Sequence, residues 1–119
     1  IYELNKMKLQ TIKKRKDFVL SNKFGKKTFN KNFILQKYYQ IEQVQPSLKF
    51  GFTATKRIGN AVKRNRAKRR MRALISLFLQ ENRLLFDDKS SYVIVAKKSL
   101  IKAPFLDLRA EMKECLSKS

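Results

Sequence analysis

A basic run that continues as an apolar helix is the feature that most constrains this chain. From Lys56 to Arg72 the sequence has nine Lys or Arg among seventeen residues and no Asp or Glu. Gly59 supplies a sharp turn and Asn60 an N-cap, which predicts a helix from there to about Asn82. At helical spacing the apolar positions share one face, so we expect the C-terminal half of the helix to pack on a sheet. These positions are Ala67, Met71, Leu74, Ile75 and Phe78.

The N-terminal half of the predicted helix carries an electrostatic conflict. Like-charged pairs four residues apart, such as Arg64–Lys68, and cations in the first turn together cost about 1–2 kcal/mol. A solvated helix face would normally mix charges of both signs. A bound phosphate backbone removes the conflict, because it neutralises the cations and accepts paired hydrogen bonds from arginine. The pattern therefore predicts a nucleic-acid-binding surface.

Composition indicates one small domain with an anionic partner. A chain of 119 residues that is 43% hydrophobic can bury one modest core, so residues 1–119 are expected to form a single domain. The net charge of +20 favours salt-dependent binding to nucleic acid. No apolar run approaches the ~20 residues of a membrane span, and no segment resembles a signal peptide, so we expect a cytoplasmic protein without a membrane partner. The single cysteine, Cys115, is interpreted as a buried core residue rather than a reactive thiol.

The pattern of elements predicts an α+β sandwich, with helices packed on a small sheet. The expected order is helix, two or three strands, helix, strand, helix. The first helix should end near Lys23, before Gly25, and "KKTFN" could form a short strand. Alternation from Leu48 to Thr55 predicts a long strand with one face in the core. The remaining predicted elements are a strand over Phe33–Tyr39, a strand in "SSYVIVAKK", and a terminal helix after Pro104 with Phe105, Leu108, Met112 and Cys115 on its apolar face.

The basic helix and its surroundings carry a recognisable motif. The segment "KRIGNAVKRNRAKRRMR" has a basic pair, then Gly-Asn-Ala-Val, Arg-Asn-Arg and a basic continuation. In this it resembles the protein subunit of bacterial ribonuclease P. The resemblance extends through "GFTAT" and "KKRKDF" and covers nearly the whole domain. It implies an α-β-β-β-α-β-α fold with a mixed sheet and a left-handed βαβ crossover, similar to a domain of a small-subunit ribosomal protein.

The resemblance also implies a function. The partner would be ribonuclease P RNA, a ribozyme that removes the 5′ leader from precursor tRNA, and the protein would bind both that RNA and the leader, with no obligate protein partner. Two alternatives remain at this point. One is a ribosomal or RNA-chaperone protein without a role in tRNA processing, and the other is a DNA-compacting protein, although no helix-turn-helix pattern supports DNA binding.

Two sets of residues are predicted to bind RNA. For Phe18, sequence pattern alone favours core packing, whereas the resemblance favours a leader-binding cleft between the first helix and the sheet. Asn22 and Gln36 stand where some family members have an aromatic residue, so leader stacking could be weaker here or shifted to Tyr38 or Phe24. The predicted leader-binding residues are Lys14, Arg15, Phe18, Gln36, Tyr38 and Thr53. The predicted contacts to the catalytic RNA are Lys56, Arg57, Asn60, Lys63, Arg64, Asn65, Arg66, Lys68, Arg69, Arg70 and Arg72.

No catalytic or metal-binding constellation is visible in the sequence. The chain has no histidine, and its nine acidic residues form no metal-like cluster. Asp87 and Asp88 are better explained by a capping or turn role. This agrees with what the resemblance implies, namely an accessory subunit of an endoribonuclease, without catalytic residues or a cofactor of its own. Mg²⁺ would be held by RNA and substrate phosphates, since it prefers oxygen ligands and retains water.

Overall fold

Three α-helices and a four-stranded mixed sheet form the described part of the computed structural model, which comprises residues 9–39 and 48–119. The predicted order of elements is confirmed, with three strands before the long helix. Residues 1–8 and 40–47 of the predicted single domain lie outside the described residues. The helices are α1 (Arg15–Phe24), α2 (Ala61–Glu81) and α3 (Phe105–Lys118), and the strands are β1 (Lys26–Phe29), β2 (Phe33–Tyr39), β3 (Lys49–Thr53) and β4 (Ser90–Ala96).

The sheet has the strand order β1-β2-β4-β3. Strand β2 pairs antiparallel with both β1 and β4, whereas β3 and β4 pair in parallel. Because parallel neighbours need a crossover connection, the chain passes from β3 to β4 through α2. The mixed sheet is as predicted, and the left-handedness of the crossover stays a prediction.

One face of the sheet and two helices enclose the hydrophobic core. All five predicted apolar positions of α2 are buried, and they are joined by Leu79. On the sheet, Phe50 and Tyr92 stack with ring centroids 5.7 Å apart, and Phe86 packs edge-on against both. Helix α3 adds Leu108, Met112, Cys115 and Leu116 to the same cluster. The sheet therefore positions α2 through apolar contacts made along the C-terminal part of that helix.

Two details of the sequence prediction are wrong. Strand β3 is shorter than predicted, with five residues, Lys49–Thr53, although the predicted core face is confirmed by the burial of Leu48 and Phe50. On α3 the apolar face begins at Leu108, because Phe105 lies in the first turn and is 36% exposed. Cys115 is buried as predicted, and burial raises the pKa of its thiol, which disfavours the reactive thiolate.

Gly51 permits a close approach between the sheet and α1. The β3 position lies on the face opposite the core, where the ring of Phe18 packs directly on the backbone. A Cβ atom added at Gly51 would lie 2.4 Å from Cε1 and 2.8 Å from Cζ of Phe18. These distances are far below van der Waals contact, so any side chain at Gly51 must displace the Phe18 ring.

We predict that Gly51→Ala destabilises the protein by about 1–3 kcal/mol, because it overpacks this contact. Urea unfolding followed by circular dichroism measures the effect. In a Phe18→Ala background the same substitution should cost less, leaving a coupling energy between the two positions. An equal cost in both backgrounds would contradict the contact.

Candidate nucleic-acid interface

The start of α2 is built as the sequence indicates. The Asn60 side chain accepts a hydrogen bond from the backbone N–H of Lys63, with a distance of 3.0 Å between Oδ1 and N. Gly59 has φ of 137°, a conformation that favours glycine. The Arg64 guanidinium donates to the Gly59 carbonyl at 3.2 Å, which ties the turn to the helix. The cap and turn fix the direction in which the basic half of α2 projects.

Most of the predicted catalytic-RNA contacts lie in the turn before α2 and in the N-terminal half of α2, and together they are here called the α2 cationic face. Arg64 and Lys68 are half-buried within it. The guanidinium of Arg72 lies 5.5 Å from the ring centre of Phe52, a cation–π distance that anchors one edge of the face to β3. The exposed members of the face are Lys56, Arg57, Asn60, Lys63, Asn65, Arg66, Arg69 and Arg72.

Arg70 differs from its neighbours, because its guanidinium is engaged inside the protein. Nη1 donates to the carbonyl oxygens of Leu100 and Ile101 at 2.5 and 2.8 Å, and Nη2 donates to that of Ala103 at 2.6 Å. These carbonyls belong to the connection between β4 and α3. The RNA contact predicted for Arg70 gains no support from this geometry, since three of its donor interactions hold that connection against α2. These carbonyls lie some thirty residues from Arg70 in the sequence, so the basic run alone could not predict the contacts.

Acidic residues are separated from the α2 cationic face. Within residues 9–39 and 48–119, Asp17 is the only acid outside the segment from Glu81 to Glu114. The ion pairs of this part of the chain are Arg109–Glu81 at 2.6 Å, Arg83–Asp88 at 3.1 Å and Lys118–Glu114 at 2.9 Å. None involves a residue of the α2 cationic face. Within the described residues no acid therefore compensates the like charges of this face, as expected of a surface that binds a polyanion.

A cleft of about 800 Å³ lies between α1 and the sheet face opposite the core. Its floor is formed by alternate residues of the strands, including Ile34 and Gln36 of β2 and Val93 and Val95 of β4. Of the predicted leader-binding residues, those that line the cleft are Arg15, Phe18, Gln36 and Thr53, whereas Lys14 and Tyr38 do not. Asn22, which the sequence analysis connected with leader stacking, also lines the cleft. The lining residues that the sequence analysis did not assign to the cleft are Lys13, Val19, Lys27, Phe29, Ile34, Phe52, Ala54, Thr55, Lys68, Val93 and Val95.

The alternation of side chains along a strand could have predicted some of these additional cleft residues. Once Phe33 and Leu35 are assigned to the core, Ile34 and Gln36 must lie on the other face, and the same argument places Val93 and Val95 there. The pairing of β1 with β2 then adds Lys27 and Phe29 to the cleft, because Phe29 pairs with Ile34. Only the pairing of strands shows that these residues converge.

Two polar side chains at one end of the cleft, those of Gln36 and Asn22, are joined to each other. The Gln36 side chain is buried, and its Nε2 donates to Oδ1 of Asn22 at 3.4 Å. Its Oε1 accepts a hydrogen bond from the Ser21 hydroxyl at 3.3 Å. At this end of the cleft the amides satisfy one another and form a polar floor. Phe18, half-buried against Gly51, supplies the aromatic surface beside it.

Within the described ranges, no three His, Cys, Asp or Glu side chains converge as a metal site. In the same ranges no helix has the length and apolar character to cross a membrane. Asp87 lies in the turn before β4, where its carboxylate accepts from the Ser90 hydroxyl at 2.7 Å and from the Lys89 N–H at 3.1 Å. Its capping role agrees with the interpretation of this acid as structural.

Comparison with known proteins identifies the family. The Ribonuclease P family model matches residues 7–119. The chain is 33% identical over 113 residues to the "Ribonuclease P protein component" of Bacillus pumilus, covering 94% of this chain and 89% of that protein. It is 34% identical over 116 residues to the protein of the same name from Syntrophus aciditrophicus, covering 98% and 92%. The chain belongs to the ribonuclease P protein family.

Solved structures of family members share the fold. The ribonuclease P protein of Staphylococcus aureus superposes with a TM-score of 0.73 at 22% identity, covering 93% of this chain and 95% of that one. The Thermotoga maritima protein gives a TM-score of 0.73 at 22% identity, covering 92% and 97%. Family membership makes this chain a subunit of the ribonuclease P ribonucleoprotein, part of an endoribonuclease whose RNA is its partner. The ribosomal or RNA-chaperone alternative is not favoured.

Arg70→Gln should lower the free energy of unfolding by about 1–3 kcal/mol, because carbonyls of the β4–α3 connection lose a charged donor. The matched control is Arg69→Gln, one residue earlier and exposed, which should change stability by less than about 0.5 kcal/mol. Urea unfolding distinguishes the two variants. Equal stability of both variants would contradict a structural role for Arg70.

Proposed function

We propose that the protein binds ribonuclease P RNA through the α2 cationic face and the 5′ leader of precursor tRNA through the cleft. One observation carries this proposal: Lys68 belongs to the α2 cationic face and also lines the cleft. The two surfaces are therefore adjacent, so a single protein can hold the catalytic RNA and the substrate side by side. Such positioning lowers the entropic cost of bringing two large molecules together in the geometry of the reaction.

The α2 cationic face has the chemistry of a phosphate-binding surface. Its arginines present planar forks that match phosphate oxygens, and none of them forms an ion pair within the described residues. The exposed Asn65 adds an amide that can contact a sugar or a base edge. Binding releases counterions, so affinity should fall steeply as salt is raised.

The cleft has the chemistry of a single-strand-binding site. Phe18 offers an aromatic face for a base, and Arg15, Lys13 and Lys27 provide cations for the backbone. Stacking depends little on base identity, so the cleft would accept leaders of varied sequence. Because Asn22 and Gln36 form a polar part of the floor, stacking depends on the aromatic side chains of Phe18, Phe29 and Phe52 and is weaker than on a wholly aromatic surface.

In this proposal the RNA performs the chemistry of leader removal. Mg²⁺ would be held by RNA and substrate phosphates, and the protein would bind no cofactor of its own. The contribution of the protein would be to position the leader and to reduce repulsion between two polyanions. The proposal also includes a cytoplasmic location and activity without an obligate protein partner.

Arg66→Glu is expected to weaken binding to ribonuclease P RNA by about tenfold or more, since it replaces a charged donor by a repelling carboxylate. Lys113→Glu on α3 changes the net charge equally at an exposed position far along the chain and serves as the control. Filter binding at several salt concentrations measures both affinities. Equal losses for the two variants would show that α2 is not the RNA-binding face.

Phe18→Ala should weaken binding of leader-bearing precursor tRNA to the reconstituted ribonucleoprotein by about 1–3 kcal/mol, the typical contribution of one stacked base. Binding of mature tRNA, which lacks the leader, should not change. Circular dichroism confirms that the variant is folded. A loss that is the same for both tRNAs would contradict leader binding in the cleft.

Accurate 5′ cleavage at low magnesium tests the function as a whole. The wild-type protein should restore cleavage by ribonuclease P RNA, whereas polylysine of similar charge should not, because charge alone does not position the leader. Cleavage restored equally by both, or by neither, would refute the proposed function.

A further inference from the structure

A surface pocket of about 470 Å³ lies where the β1–β2 turn meets the β4–α3 connection. Lys31 from the turn, and Ser99 and Lys102 from the connection, are exposed around it. We refer to these three residues as the connection patch. The pocket shares no lining residue with the cleft, so it is a separate surface. The rest of its lining contains no aromatic residue and consists of Asn32, Ala103, Pro104 and Asp107.

The buried amide of Asn32 holds the connection patch in a fixed shape. This residue is only 2% exposed, and its Nδ2 donates to Oε1 of Glu111 on α3 at 2.7 Å. Its Oδ1 lies 2.7 Å from the Ser99 hydroxyl, and its carbonyl accepts from the N–H of Lys97 at 2.9 Å. The turn, the connection and α3 are therefore joined. A ligand of the patch would meet a framework that is already ordered, which reduces the entropic cost of binding.

The cations of the connection patch are not neutralised by partners within the described residues. In this part of the chain, neither Lys31 nor Lys102 has an ion pair or a side-chain hydrogen bond. Asp107 is the acid of the pocket lining, and it lies in the first turn of α3, where a carboxylate interacts favourably with the helix dipole. Two lysines and one acid leave the lining with net positive charge.

The connection patch lies beside one flank of the α2 cationic face. At about 100° per residue, Arg66 and Arg70 lie on one side of the apolar positions of α2. Lys68 and Arg72 lie on the other side. The contacts agree with this geometry, because Lys68 lines the cleft, whereas Arg70 donates to the carbonyl of Ala103 in the pocket lining. Positive charge therefore continues from α2 across the connection, on the flank opposite to Lys68.

We propose that the connection patch is a second contact for ribonuclease P RNA, and that it binds the sugar-phosphate backbone of an RNA helix next to the segment held by the α2 cationic face. This inference rests on the proposed binding of that RNA to α2. Lysine binds phosphate oxygens, and the Ser99 hydroxyl can contact a ribose 2′-hydroxyl. Because no aromatic residue lines the pocket, it offers no stacking surface for an unpaired base. Contacts of this kind recognise the shape of an RNA helix rather than its sequence.

Two contacts would fix the orientation of the protein on the RNA. A single cationic helix can rotate about the backbone that it binds, whereas a second contact at a set distance prevents that rotation. The hydrogen bonds of Arg70 set the distance, because they hold the connection against α2. The protein would thereby keep its cleft directed towards the substrate.

The test measures binding of the protein to ribonuclease P RNA without precursor tRNA, so that the leader does not contribute. Filter binding at several salt concentrations compares wild type, Lys31→Ala/Lys102→Ala, and Lys89→Ala/Lys113→Ala as the matched control. The control pair removes the same charge from exposed positions outside the pocket and the cleft. Arg66→Glu is measured in the same assay, to test α2 alone. Circular dichroism checks that each variant is folded.

We expect Lys31→Ala/Lys102→Ala to lose about tenfold in affinity. The slope of log affinity against log salt should become less steep by about one to two, since roughly 0.7–0.9 is lost with each phosphate contact. The control pair should stay within about twofold of wild type, because exposed charges far from the RNA are screened. Equal losses for the two pairs, or no loss for either, would overturn the inference.

Arg66→Glu separates the two possible failures. If it weakens RNA binding while the connection patch behaves like the control, the inference fails and the proposed function stands. If it leaves the affinity unchanged as well, the proposed function fails with the inference.

Tethered cleavage supplies a readout independent of affinity. Lys102→Cys can be labelled selectively with an iron chelate, because Cys115 is only 5% exposed. Hydroxyl radicals from this label should cut ribonuclease P RNA close to, but separate from, the nucleotides cut by a label at Asn65→Cys on α2. In the reconstituted complex, cuts confined to precursor tRNA, or no cuts in either RNA, would contradict the inference.

Discussion

The packing of α2 on the sheet is the contact on which the rest of the structure depends. The apolar stripe of α2 contacts the core face of the sheet and anchors the helix through its C-terminal part. Because the C-terminal part is fixed in this way, the N-terminal part stays helical and exposed to solvent despite its unfavourable concentration of like charge. Burying several large apolar side chains contributes about 1.5–3 kcal/mol each, which exceeds the local electrostatic cost of about 1–2 kcal/mol. The hydrophobic core therefore maintains a charged surface that the isolated helix would not favour.

The opposite face of the sheet forms the floor of the cleft. It is only partly covered, since α1 packs near Gly51 and Gln36 and leaves the remainder as a cleft. The absence of a side chain at Gly51 allows the ring of Phe18 to approach the backbone closely while part of the side chain stays accessible. This explains why neither of the simple interpretations of Phe18 is complete: the residue is half-buried, so it stabilises the packing of α1 and also lines the cleft.

Acidic side chains and the cationic surfaces occupy different parts of the described structure. The acids of the described residues are concentrated between Glu81 and Glu114, and the ion pairs lie there too. The α2 cationic face and the cleft are formed by cations, apolar side chains and neutral polar side chains. Arg70 links the basic half of α2 to the connection that carries Lys97 and Lys98, because it binds carbonyls at the end of that connection. The hydrogen bonds of Arg70 thus fix the β4–α3 connection against the basic half of α2.

The sequence by itself determined the order of elements, the N-cap at Asn60, the buried stripe of α2 and the family, because all of these depend on residues close together in the chain. It also indicated the cationic face, since a bound polyanion relieves the repulsion between like charges at helical spacing. Tertiary structure alone decided that Arg70 bonds to carbonyls some thirty residues away, that Lys14 and Tyr38 stand outside the cleft lining, and that β1 and β4 contribute to it. Those outcomes depend on strand pairing and on contacts across the sheet, and a local pattern carries no information about which distant backbone groups a side chain will meet.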